Sequence, residues 1–296
     1  MKKIKEMDPL YKGIILIISS AFFFALMNMF VSLSGDLPSF QKSFFRNLIA
    51  FIFAGGVLIK NKISLKVPRQ AVLPLLLRSF FGTIGILCNF YALGVLDLAD
   101  ASILNKMSPF FAILFSTFIL KEKIKPLQLL IVTGALIGAV CVIKPSFANT
   151  LTAPALIALF GGMCAGLAYT LVRVLGKRGV KGAVIVFVFS GISCLVTSPY
   201  LIFSYAPMSS KQLVILILAG LAAAGGQFTI TAAYCYAPAK DVSVYDYSQI
   251  IFAAGLGFIV FGQIPDLLSI TGYIIIVSMA ILMFVYNKKK AAGQLR

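Results

Sequence analysis

The chain has 296 residues, 60% of them hydrophobic and only 12% charged, with a mean hydropathy of +1.00. A soluble domain carries about a quarter charged residues, so the composition excludes a soluble enzyme or binding domain and points to a polytopic membrane protein. The formal charge of +17 does not imply a nucleic-acid partner, because the basic residues form short patches between apolar runs rather than a stripe interleaved with aromatics.

Ten apolar segments approach the ~20 residues that cross a bilayer: 13–33, 40–59, 72–95, 98–120, 126–143, 152–175, 182–204, 212–236, 242–262 and 267–286. The first follows Lys2, Lys3, Lys5 and Lys12 and is too long for a signal h-region, so it reads as an uncleaved span. At this apolarity the spans are helices, since barrel strands alternate apolar and polar residues. With the N-terminus inside, basic patches at 2–12, 60–69, 121–125, 177–181, 240 and 288–296 fall on one side, and the other side's connections hold only Lys144 and Lys211. This asymmetry places both termini in the cytoplasm. Cys88, Cys141, Cys164, Cys194 and Cys235 all lie in apolar runs with no C-x-x-C, which reads as free thiols. Histidine is absent, which removes the commonest metal ligand and general base; no metal, cofactor or catalytic residue is expected.

The segment 98–120 is interrupted by Asn105-Lys106-Met107-Ser108-Pro109. Pro109 has no N–H and displaces the carbonyl of Asn105, so the helix loosens there and offers a free acceptor, an amide and an ammonium. Lys106 lies roughly 12 Å deep in a ~30 Å core, where a lysine costs about 2.5–3.5 kcal/mol and should face the interior with a partner.

The chain also repeats. A shift of 141 residues places Asp100-Ala101-Ser102 on Asp241-Val242-Ser243, Asn105-Lys106 on Asp246-Tyr247, Glu122 on Gln263 and Met27-Asn28 on Ala168-Tyr169. Five spans per copy is odd, so the second copy enters from the opposite face. The expectation is two inverted five-helix repeats, 1–145 and 146–296, with a site near the midplane where they meet.

Asp246, beside Tyr245, Tyr247, Ser248 and Gln249, is the one acid well inside a span. It could accept a proton, hold a cationic group or neutralise Lys106 or an arginine. Arg46 and Arg78 could each bind an anionic group through the planar guanidinium fork, although Arg78 could also snorkel to the cytoplasmic interface. Arg173 ends the sixth span as an inside anchor. Asn28, Asn89, Tyr169, Gln227 and Thr231 could serve interhelical hydrogen bonds or the substrate, and the repeat singles out Asn28 and Tyr169. Gly134-x-x-x-Gly138 fits close helix packing and a weak homodimer; a monomer fits equally.

Ser108-Pro109-Phe110-Phe111-Ala112 in the fourth span, Leu120-Lys121-Glu122-Lys123 closing it, Tyr91-Ala92-Leu93 and Phe44-Phe45-Arg46 resemble the drug/metabolite transporter superfamily, EamA-type members. The run Leu77–Gly82 is similar to a subgroup that includes S-adenosylmethionine carriers, and Gln263 stands where family members usually carry glutamate. The resemblance implies a central cavity lined by the first four spans of each half, with the fifth and tenth at the periphery. The reading is an inner-membrane secondary transporter of small amino-acid-like, zwitterionic or anionic metabolites, not an enzyme, with protons or a counter-substrate as coupling partners. A lipid flippase and an exporter of organic cations are the alternatives on the same fold. The substrate site would comprise Arg46, Asn105, Lys106, Tyr245, Asp246, Gln249, Asn28, Tyr169 and Arg78, with Asp246 the proton-coupling candidate.

Overall fold

The computed structural model describes residues 8–95, 104–143, 153–262 and 264–291. Asp100, Ala101, Ser102, Lys144 and Gln263, used in the sequence reading, lie outside them. The long helices are α1 (Pro9–Leu33), α2 (Ser39–Lys60), α3 (Arg69–Val95), α4 (Ser108–Leu120), α5 (Pro126–Ile143), α6 (Ala153–Lys177), α7 (Gly182–Ser204), α8 (Ser210–Tyr236), α9 (Ser248–Phe261) and α10 (Leu267–Ala291). No strand occurs among the described residues. Among the described residues, nine helices are long and apolar enough to cross a membrane, counting Ala239–Phe261 as one, and Ser108–Leu120 is a shorter apolar helix.

Local chemistry sets the helix ends. Asp8 accepts the Leu10 N–H at 2.7 Å and Pro9 occupies the first turn of α1, where its missing N–H has no cost. Ser209 and Gln212 form a capping box at the start of α8. Two spans differ from plain helices. The fourth has a helical turn at Leu104 and Asn105, a break at Lys106 and Met107, and restarts as α4 with Pro109 in its first turn. The ninth begins with one turn, Ala239–Val242, passes through a 3-10 stretch, Ser243–Tyr247, and becomes α9. Both close on a left-handed residue: Lys121 at φ 54° after α4, and Gly262 at φ 65°, 141 positions later, after α9.

Packing follows membrane logic. Lipid is as apolar as leucine, so helices associate where small residues allow backbones to approach. Ala21, Ala50, Ala54, Ala112, Ala139 and Ala223 are buried, whereas Ile59, Phe118, Leu195, Phe203 and Ile259 point outward. The main helix pairs are α1 with α8, α3 with α6, α5 with α10, α2 with α7, α2 with α8, α3 with α7, α4 with α6 and α1 with α9. Exchanging α1–α5 for α6–α10 maps this set onto itself. Detail follows the same exchange. Gly85 packs against Gly161, whose carbonyl would stand 3.1 Å from a Cβ at 85. In the mirrored pair, Ser20 donates to the Gly226 carbonyl at 3.0 Å.

Gly134 and Gly138 face α10 of the same chain rather than an open surface. A Cβ at Gly138 would meet the Gly272 carbonyl at 2.9 Å, and one at Gly272 would meet the Gly138 carbonyl at 2.5 Å. Gly272→Val should therefore separate α5 from α10, at an overpacking cost of about 1–3 kcal/mol. Thermal unfolding in detergent should show a clearly lowered midpoint for this variant and none for Gly56→Ala, where nothing lies within 4 Å.

Candidate functional site

The two broken spans meet. The Asn105 turn lies on Gly162 of α6, where a Cβ would stand 2.7 Å from the Leu104 carbonyl. Tyr247, in the 3-10 stretch, donates its hydroxyl to the Lys106 carbonyl at 3.1 Å, so one backbone acceptor freed by the break is satisfied across the repeat. Lys106 Nζ reaches back, 3.0 Å from Asp246 Oδ2, 2.6 Å from Gln249 Oε1 and 3.4 Å from the Asp246 carbonyl. Both side chains of the ion pair are largely buried. An ammonium and a carboxylate in low dielectric hold each other strongly, and both are costly if separated.

This pair borders a cavity of about 640 Å³. Its charged lining is Arg46, Arg78, Lys106 and Asp246, and its polar lining includes Asn28, Asn89, Asn105, Tyr169, Gln227 and Gln249. Arg46 on α2 is buried and donates Nε–H to the Met27 sulfur at 3.0 Å, a weak acceptor. Arg78 on α3 is fully buried; Nη2 donates to Gln227 Oε1 at 3.3 Å, and the guanidinium lies 3.7 Å from the centre of the Phe189 ring. Neither arginine has a carboxylate partner among the described residues. Because Asp246 is engaged by Lys106, two guanidinium charges in the cavity have no counter-charge among those residues.

The cavity is one-sided. Tyr11 of α1 lies against Phe284 of α10, so both described ends share a face. The lining runs from the midplane to Val31 and Ser32 of α1, Ile143 of α5 and Phe261 of α9, at the opposite face. Toward the terminal face the helices are clamped. Glu122 Oε1 stands 3.3 Å from Lys177 Nζ and 3.7 Å from Arg173 Nε. Lys240 donates to the Lys123 carbonyl at 2.6 Å, Gln128 donates to Asp241 Oδ1 at 2.7 Å, and Asn287 donates to the Asp241 carbonyl at 3.2 Å. Among the described residues no group of three or more Cys, Asp or Glu could hold a metal ion, and the five cysteines are unpaired.

Comparison with known proteins decides the family. The model of the EamA-like transporter family matches residues 11–144, the stretch that carries α1–α5. The pseudopaline exporter CntI of Pseudomonas aeruginosa strain UCBPP-PA14 is 32% identical, over 92% of this chain and 95% of that one. The chain belongs to the EamA-like transporter family. Other relatives of this EamA-like chain are human solute carrier family 35 member G1, 25% identical over 90% of this chain and 77% of that one, and the S-adenosylmethionine uptake transporter of Rickettsia prowazekii, 24% identical over 86% and 85%. A solved crystal structure superposes with a TM-score of 0.82 over 94% of this chain and 98% of its own, at 15% identity, and shows the fold alone.

The EamA-like fold brings Arg46, Asn105, Lys106, Asp246, Gln249, Asn28, Tyr169 and Arg78 to one cavity. Tyr245 stands apart from it. A 3-10 stretch turns about 120° per residue, so Tyr245 cannot share the direction of Asp246; its ring is buried in the core. Arg78 does not snorkel to an interface. Arg173 is half-buried, beside Glu122 and donating to the Cys235 carbonyl at 2.7 Å. The fifth and tenth spans are not wholly peripheral, since Val142, Ile143 and Tyr273 reach the cavity. Sequence reasoning missed Phe189, which lines the cavity and lies against the Arg78 guanidinium. It passed over Gln227 as an interhelical bond, which it also makes.

Proposed function

We propose that this chain is a secondary transporter of small organic metabolites bearing a carboxylate, either amino-acid-like zwitterions or anions, working by alternating access across the cytoplasmic membrane with both termini inside. The observation that carries this reading is the pair of cavity guanidinium groups, Arg46 and Arg78, without an acidic partner among the described residues. A desolvated cation lacking a counter-ion is costly, and an anionic group on the ligand removes that cost. Two relatives are named as an exporter and an uptake transporter of small metabolites, so transport direction is not inherited with the fold.

In this reading the conformation is open toward the outside and closed inside by the Glu122, Asp241 and Lys240 clamp. The units 1–145 and 146–296 rock against each other around the midplane site. Asp246 couples the proton: protonating it releases Lys106, whose ammonium then adds to the anion-binding set. The test is a thermal-stabilisation screen of the purified protein against metabolites. Carboxylate-bearing ligands should stabilise it, and Arg46→Gln should weaken them at least tenfold. A screen that yields only permanent cations, bound equally by Arg46→Gln, would sink the reading.

A further inference from the structure

Arg78 is fixed by contacts that leave its charge uncompensated. It precedes Gly82 by four residues, one turn of α3, and its side chain lies over position 82. A Cβ there would collide with Arg78 Nη1 and stand 2.9 Å from Phe189 Cε2. The guanidinium therefore fits between the bare Gly82 backbone and the Phe189 ring, whose centre is 3.7 Å away. Its one acceptor among the described residues is Gln227 Oε1, a neutral amide oxygen 3.3 Å from Nη2. A guanidinium bond to a carboxylate is shorter, about 2.7–2.9 Å, and stronger. Nε and Nη1 are buried with no acceptor among the described residues, a costly state that a purely structural arginine avoids.

Gln227 lies on α8, across the repeat from Arg78, and lines the cavity. A glutamate of the same shape would neutralise Arg78 outright, and buried arginines are normally paired in that way. The amide instead orients the guanidinium without cancelling its charge. Arg46 is treated alike, since its Nε donates to a thioether sulfur. The two guanidinium groups are near enough to interact electrostatically with each other, and both interact with the Tyr169 phenol. One carboxylate brought to this wall of the cavity compensates both.

We infer that Gln227 is a neutral placeholder, occupying the acceptor position on Arg78 that the ligand's carboxylate takes, so that Arg78 and Arg46 share a single carboxylate. Gly82 and Phe189 position Arg78 for that exchange. The inference rests on the carboxylate-binding reading above and deepens it, because it assigns Gln227 as the residue that keeps the site open to an outside anion. On binding, the amide turns away from Nη2, and a charge-assisted bond replaces the neutral one.

The test uses the full-length protein purified in detergent, with norleucine as the carboxylate probe and norleucinamide as the same amine without the carboxylate. Thermal midpoints without ligand and dissociation constants are both measured. Gln227→Glu supplies the counter-charge from within. Its ligand-free midpoint should rise by about 3 °C or more, while its norleucine affinity falls at least tenfold, to the level of norleucinamide. Gln227→Met, similar in size and without the amide, should bind norleucine within about threefold of wild type, since the ligand brings its own oxygens. Replacing a merely structural glutamine would not move stability and affinity in opposite directions. A ligand-free midpoint of Gln227→Glu that is unchanged or lowered, or norleucine binding that survives in it, overturns the placeholder inference and leaves the carboxylate site standing. Wild type that does not distinguish norleucine from norleucinamide overturns both.

Discussion

In proteoliposomes, Asp246→Asn is expected to lose the response of transport to an imposed pH gradient by tenfold or more, while exchange of substrate across the membrane survives. The reason lies in what Lys106 touches. Its ammonium has one charged acceptor, Asp246 Oδ2, and two neutral ones, Gln249 Oε1 and the Asp246 carbonyl. When the carboxylate takes a proton, only the neutral acceptors remain, and an anionic ligand competes for the ammonium on better terms. On the proposed reading, proton and anion binding therefore reinforce each other, and by linkage the coupling is reciprocal. Wild type should show tighter anion binding at lower pH on the loading side. Asparagine has the shape of the protonated acid but cannot release a proton, so the variant should bind its ligand with little pH dependence and equilibrate it without driving it. Uptake that still follows the pH gradient in Asp246→Asn would reduce the ion pair to a structural one.

Lys106→Ala should have the largest effect on folding. It leaves the Asp246 carboxylate buried, with Gln249 nearby but no cation. Removing one member of a buried pair costs about 3–5 kcal/mol, because the other charge stays desolvated. The double variant Lys106→Ala with Asp246→Asn removes both charges and should recover most of the lost thermal midpoint while remaining inactive in transport. The comparison separates stability from function: the single variant fails in both, the double only in transport. A single variant as stable as wild type would mean that water in the cavity already screens the pair.

The fold was largely legible because hydropathy reports directly on lipid contact. The spans 126–143 and 182–204 coincide with α5 and α7. The break in the fourth span was announced by Pro109, and the register of the repeat led from Asn105 to Asp246. What could not be read was direction around a helix axis where the winding changes. Tyr245 and Asp246 are neighbours in sequence, yet only Asp246 reaches the cavity. The support of Arg78 was hidden for a different reason. With 24 glycines and 26 phenylalanines in the chain, neither Gly82 nor Phe189 carries a signal of its own. Their place on the cavity wall and their joint contact with one guanidinium distinguish them from ordinary packing residues.

The exchange pattern of the helix pairs bears on biogenesis. α1 has its main partner in α8, α3 in α6, α5 in α10 and α2 in α7. When the ribosome has delivered the first five spans, none of these partners yet exists. The nascent half must wait in lipid with Arg46, Arg78 and Lys106 already inserted, and their stabilising environment arrives only with the second half. Insertion and assembly are thus separate events for this chain. The interval between them, governed by translation speed and the insertion machinery, is when the polypeptide is most open to degradation.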